Sequence, residues 1–234
     1  INLIIAESIP NDWDDLSYDN HNDHKKLIEI LLLVNTELTR KNNNNNDFFP
    51  FEIYKNINKS LEHIHAQNII GINENKREQW FSWLDMHLNV LPSITTNPKK
   101  AAEIIEKAKT IDREKYTYAQ FQDLSASIIE MLPKDDEDEN LYLHNIKNLA
   151  LLGLTENISL SNSIFEIKRR KIIEMDKKGA FIPIATKRVF LNYYQKESYA
   201  QSSIWTKVER ENHLEEIGEC LNHYLNKTPV LNEA

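Results

Sequence analysis

The chain has 234 residues, 41% of them apolar and 27% charged, with four glycines, seven prolines and one cysteine. That length holds one large domain or two modest ones, and the scarcity of glycine and proline excludes a chain built on tight β-turns and points to helices. The net charge of −8 speaks against a broad phosphate-binding surface, and the lone Cys220 excludes a disulfide framework and a cysteine zinc knuckle.

No run of about 18 apolar residues occurs, so no membrane span is expected. The opening residues 1–6 lack the basic lead-in of a signal peptide. With a single cysteine, this fits a cytoplasmic protein. The absence of an initiator methionine is read as a piece of a longer protein, with an N-terminal part missing. Charge is unevenly spread: acid concentrates over residues 12–23 and 135–139, whereas Lys and Arg outnumber Asp and Glu by eleven to six between residues 165 and 211. Local fields decide binding more than net charge does.

In chain order, Asp23 caps an expected helix over 24–40, where Leu27, Ile30, Leu31 and Val34 recur at helical spacing. Residues 1–47 read as an N-terminal helical segment, a linker from a missing domain, ending in the polyasparagine loop. Residues 48–54, aromatic and β-branched around Pro50, predict extended structure leading to a short strand over 61–65. Helices are expected over 74–91, 99–110 and 118–132. Pro133 and the acidic run close this block as a solvated loop. A second strand is expected over 146–152, ended by Gly153, and Asn157 and Asn162 lie in the polar turn or short helix that follows. A strongly basic helix over 165–175 and helices over 184–194 and 206–225 complete the chain. The fold class is α+β, predominantly α-helical.

Three pieces carry chemistry together: Glu62-His63-Ile64-His65 on the first strand, Asn148-Leu-Ala-Leu-Leu on the second, and Asn157 after it. Hydrolysis of a phosphodiester needs a base for the attacking water and positive charge on the scissile phosphate. It also needs a group that holds the base in one tautomer. Two short strands followed by a helix can supply all three.

The stretches Phe-Pro-Phe-Glu-Ile-Tyr (49–54), Leu-Glu-His-Ile-His-Ala-Gln (61–67) and Asn-Leu-Ala-Leu-Leu (148–152) carry a family likeness. So do Asn157, Asn-Ser-Ile-Phe-Glu-Ile-Lys-Arg-Arg (162–170) and Phe-Ile-Pro-Ile-Ala-Thr-Lys-Arg-Val-Phe-Leu-Asn-Tyr-Tyr (181–194). In order and spacing they resemble the C-terminal His-Asn-His (HNH) nuclease domain of GmrSD-type restriction endonucleases. The resemblance implies a small ββα-metal element within an HNH-like nuclease domain over 48–234, with a helical insertion at about 68–146. It implies His63 as the base that activates water and Asn148 as the residue that orients it. Glu62 and Asn157 become metal ligands for Mg²⁺ or Mn²⁺, and Lys168, Arg169 and Asn162 become contacts to DNA phosphates. His65 is open between a second metal ligand and a structural role. Ala66 departs from a proline common in the family, and Asn157 stands where a His is common.

The function expected from this resemblance is metal-dependent cleavage of DNA in restriction or anti-phage defence, with an N-terminal ParB-like domain as a partner absent from this chain. The alternative is a catalytically silent nucleic-acid-binding or partner-docking module that keeps the nuclease fold. A purely helical scaffold leaves the spacing of the motifs unexplained. His21, His24, His87, His144, His213 and His223 belong to no motif and are given no role.

Overall fold

A computed structural model describes residues 2–42, 48–56, 59–66, 72–133, 138–153, 163–191 and 203–225. Its helices are α1 (Asn2–Ser8), α2 (His24–Asn42), α3 (Phe51–Lys55), α4 (Arg77–Ile94), α5 (Pro98–Lys109), α6 (Tyr118–Glu130), α7 (Phe165–Lys177), α8 (Ile184–Phe190) and α9 (Lys207–Leu225). Strands β1 (Lys59–His63) and β2 (Leu149–Gly153) pair antiparallel, with Leu61 opposite Leu151, Glu62 opposite Ala150 and His63 opposite Leu149. The predominantly helical α+β class expected from the sequence is the class observed.

The two-stranded ribbon is buried on both faces, which explains why all five residues of β2 are buried. Side chains alternate along a strand, so Leu149 and Leu151 enter one core with Leu61, and Ala150 and Leu152 enter another with Ile64. The first core is filled by the stripe Leu27, Ile30, Leu31, Val34 and Leu38 of α2, together with α9. The second is closed by Phe165, Phe190 and Trp205, whose rings stack. Each buried leucine in these layers stabilises the fold by about 1.5–3 kcal/mol. A third core lies within α4–α6 and includes Ile164 and Ile167 at the start of α7.

Within residues 1–47, helix α2 packs into the ribbon's first core. The α2 stripe is the largest apolar contribution to the ribbon's first core, and Asn35 Oδ1 accepts a hydrogen bond from the backbone N–H of Ala185 at 2.8 Å. Local chemistry sets the helix starts in the α4–α6 block. Asn97 caps α5 by accepting from Lys100 N at 3.1 Å, with Pro98 in the first turn. Thr117 and Gln120 form a capping box at α6.

Two sequence expectations are corrected. Residues 51–55 form α3 instead of extended chain: Pro50 sits at its N-cap, and Tyr54 turns inward against Phe49 with ring centroids 5.4 Å apart. Burial of aromatic rings, not strand alternation, fixes that segment. The second strand begins at Leu149, not at 146, because Ile146–Asn148 form a 3-10 turn. Asn145 Oδ1 accepts from Lys147 N at 3.0 Å and closes that turn. No helix among the described residues is long and apolar enough to cross a membrane.

Candidate functional site: a histidine pair at the ribbon's end

His63 is the last residue of β1, and its side chain shares a face with Leu61. Its Nε2 lies 3.1 Å from Nδ1 of His144, in the turn that precedes β2. His144 Nε2 in turn lies 3.3 Å from Oδ1 of Asp19. The Tyr18 ring stands edge-on to His63 at 4.5 Å and also faces His24 at 4.7 Å. Backbone pairing holds these parts together: Tyr18 N donates to His144 O at 2.8 Å, Ser17 bridges to Asn145, and Asn145 Nδ2 donates to Asp14 O at 2.7 Å. The acidic segment 12–23 is therefore one wall of the site.

Asn148 ties the two histidine-bearing strands of chain. Its Oδ1 accepts from His65 N at 3.1 Å, and its Nδ2 donates to His65 O at 2.9 Å and to Leu143 O at 3.0 Å. The Asn148 carbonyl also accepts from Ile64 N at 2.8 Å. One side chain thus fixes the backbone two residues after His63 and one residue before His144. Asn148 is fully buried. It positions His63 through the backbone, without touching the imidazole.

Burial holds the His63 imidazole well below its ordinary range, at about 3, and the positive charges of Lys168 and of a protonated His144 act in the same direction. The ring is neutral at physiological pH and has a lone pair to offer. Lys168 reaches it only through the backbone, donating from Nζ to the His63 carbonyl.

Glu62 faces the other way. Alternation along β1 turns its carboxylate to the opposite side of the ribbon, where Oε1 meets Lys168 Nζ at 2.6 Å. Both side chains are almost wholly buried, and burial pushes the Glu62 carboxyl above the usual carboxylate range against the pull of Lys168. The Glu62 carboxylate, expected as a metal ligand, therefore lies on the face of the ribbon turned away from His63, and the Lys168 ammonium, expected at a phosphate, is engaged by Glu62 and the His63 carbonyl. Arg169 and Arg170 both lean on the buried Glu166, at 3.4 and 2.7 Å, and Arg169 keeps about a quarter of its side chain exposed. His65 is buried beyond the strand end and lines a small cleft with Ile94, Leu132 and Ile164, apart from the histidine pair.

The fit to a divalent metal is poor in this part of the chain. Among the described residues, no three His, Cys, Asp or Glu side chains converge to hold an ion, and the one carboxylate expected as a ligand is spent on Lys168. Asn157 and Asn162 lie outside the described residues.

His144, Asp19 and Tyr18 are the residues that sequence reasoning passed over. His144 lies 81 positions from His63, and no local pattern links them. The available signal was Asn148: a middle-position Asn that anchors a loop points at the residues of that loop, His144 among them.

Residues 114–220 match the family described as GmrSD restriction endonucleases, C-terminal domain. Over that segment the chain is similar to the GmrSD C-terminal family. The GmrSD match spans His144, Asn148, β2, α7 and α8. The His63 strand lies outside it, but is bound to it residue by residue through the ribbon. No curated protein and no solved structure matches the chain.

Proposed function

We propose that the chain is the nuclease part of a restriction system, an HNH-type endonuclease that hydrolyses DNA phosphodiester bonds with His63 as general base. The observation that carries this reading is the position of His63, fixed by the Asn148 tie at the end of a two-stranded ribbon paired with the GmrSD-family segment. The lone pair of the His63 imidazole accepts the proton of the attacking water. Proton uptake at a buried ring is helped by the hydrogen bond to His144, which spreads the new charge toward Asp19.

A divalent cation, Mg²⁺ or Mn²⁺, belongs to this proposal on the strength of the family resemblance, with Asn157 as a ligand and without Glu62. The described residues do not assemble its ligand set, so no step above depends on it. Arg169 and Asn162 are the proposed phosphate contacts. Cytoplasmic location and an N-terminal ParB-like domain as partner complete the reading.

The silent-module alternative draws on the internal use of Lys168 and Arg169, which leaves less positive charge for phosphate. Nicking of supercoiled plasmid in Mn²⁺ and Mg²⁺, beside His63→Ala, separates the two. Cleavage that vanishes in the variant is expected. Equal cleavage by both chains overturns the role of His63, and no cleavage by a folded parent chain favours the silent module.

A further inference from the structure

We propose that His144 and Asp19 form a positioning relay that fixes His63 in the tautomer carrying its proton on Nε2, so that Nδ1 is the atom that takes the proton. The chemical meaning of Nδ1 rests on the nuclease reading; the relay itself rests on geometry.

An imidazole nitrogen either donates or accepts, and a carboxylate oxygen only accepts. His144 Nε2 faces Asp19 Oδ1 at 3.3 Å, so that nitrogen carries the His144 proton. In neutral His144 the other nitrogen, Nδ1, then holds a lone pair. It lies 3.1 Å from His63 Nε2, which must therefore be the donor. The proton of neutral His63 is thereby placed on Nε2, and Nδ1 is left as the acceptor. Each member is held in place from outside the relay. Asn148 pins Leu143 beside His144, the Ser17–Asn145 bridge holds the Asp19 segment, and the Tyr18 ring stands edge-on to His63. The wrong tautomer aims an N–H at the water instead of a lone pair, which removes base catalysis without disturbing the fold.

The acidic segment of residues 12–23 gains a role by this route. Asp19 is two-thirds exposed, so its attraction for His144 adds little to stability. Its contribution is orientation: it selects which His144 nitrogen bears hydrogen.

The test is the nitrogen-15 chemical-shift pattern of the His63 ring in the whole chain at about pH 8, where an ordinary imidazole is neutral. The signal is assigned by its loss in His63→Ala. The parent is expected to show the Nε2–H tautomer alone. His144→Ala is expected to give a mixture of both tautomers, and Asp19→Ala, at an exposed position that leaves the fold intact, a shift toward that mixture. His144→Asn is expected to restore the parent pattern, because its Oδ1 takes the place of Nδ1 as acceptor. An Nδ1–H tautomer in the parent, or a pattern indifferent to His144→Ala and Asp19→Ala, overturns the relay. In DNA cleavage, His144→Ala is expected to lower kcat roughly 10–100-fold at unchanged KM, with recovery in His144→Asn. The intact Nε2–H pattern in a chain that does not cleave supports the relay and overturns the nuclease reading instead.

Discussion

Asn148 encloses the peptide unit of His65 from both sides, accepting from its N–H at 3.1 Å and donating to its carbonyl at 2.9 Å. The third bond, to Leu143 O, makes the same side chain a tie between the end of β1 and the turn that carries His144. Asn148→Ala leaves three buried backbone groups without these partners. At about 1–3 kcal/mol for each unsatisfied group, stability is expected to fall by at least about 3 kcal/mol. Asn148→Asp keeps the bond to His65 N but sets a carboxylate against two carbonyl oxygens, and is expected to be at least as damaging. Urea unfolding measures both, and a loss below about 1 kcal/mol for Asn148→Ala contradicts the tie.

The buried pair Glu62–Lys168 makes a different prediction. Removing one partner strands the other's charge in the core, so Lys168→Met is expected to cost about 3–5 kcal/mol. The double variant Glu62→Leu with Lys168→Met is expected to recover much of that loss, short of the full amount because the His63 carbonyl also loses its donor. A double variant whose loss equals the sum of the singles shows that the pair is not coupled.

Much of this was legible in the chain. The stripe of α2, the two strands and the place of His63 and Asn148 follow from periodicity and order. What failed to show was anything set by contact across the fold. Lys168 read as the head of a basic, solvated face, although Phe165 and Ile172 stand three residues before it and four after it, on the buried side of α7. A helix face is decided by that spacing and not by the charge of one residue. Glu62 reads as a metal ligand because the resembling family has an acidic residue just before the base, while in a strand adjacent side chains face opposite sides. His144 and the 12–23 segment converge on His63 only through tertiary pairing, for which one sequence has no local signature.

Acid should unfold the protein earlier than an ordinary chain of this charge. Burial holds His87 and His213 at about 4, well below their usual range. Below about 6.5 the unfolded chain takes up protons that the folded chain refuses. Stability from these groups is therefore complete above about 6.5 and is lost as pH falls toward 4. The melting temperature is expected to drop steadily between pH 7 and 4.5. His87→Phe is expected to flatten that slope, since His87 stacks on Trp83 at 3.7 Å and its Nε2 is buried with no hydrogen-bond partner among the described residues. An unchanged slope in that variant removes His87 from the account.

The metal proposal can be separated from Glu62 by linkage. An ion that binds the folded chain alone raises its melting temperature, and the rise grows with the logarithm of its concentration once this exceeds the dissociation constant. Mn²⁺ is expected to stabilise the parent by a few degrees and to stabilise Glu62→Gln by the same increment above that variant's own lower baseline. The reason is geometric: the Glu62 carboxylate is 2.6 Å from Lys168 Nζ on the face of the ribbon turned away from His63. An ion bound there has to displace the ammonium first. Asn157→Ala, by contrast, is expected to lose the increment. If the increment disappears in Glu62→Gln and survives in Asn157→Ala, the carboxylate is a ligand after all, and β1 must turn over for the ion to bind.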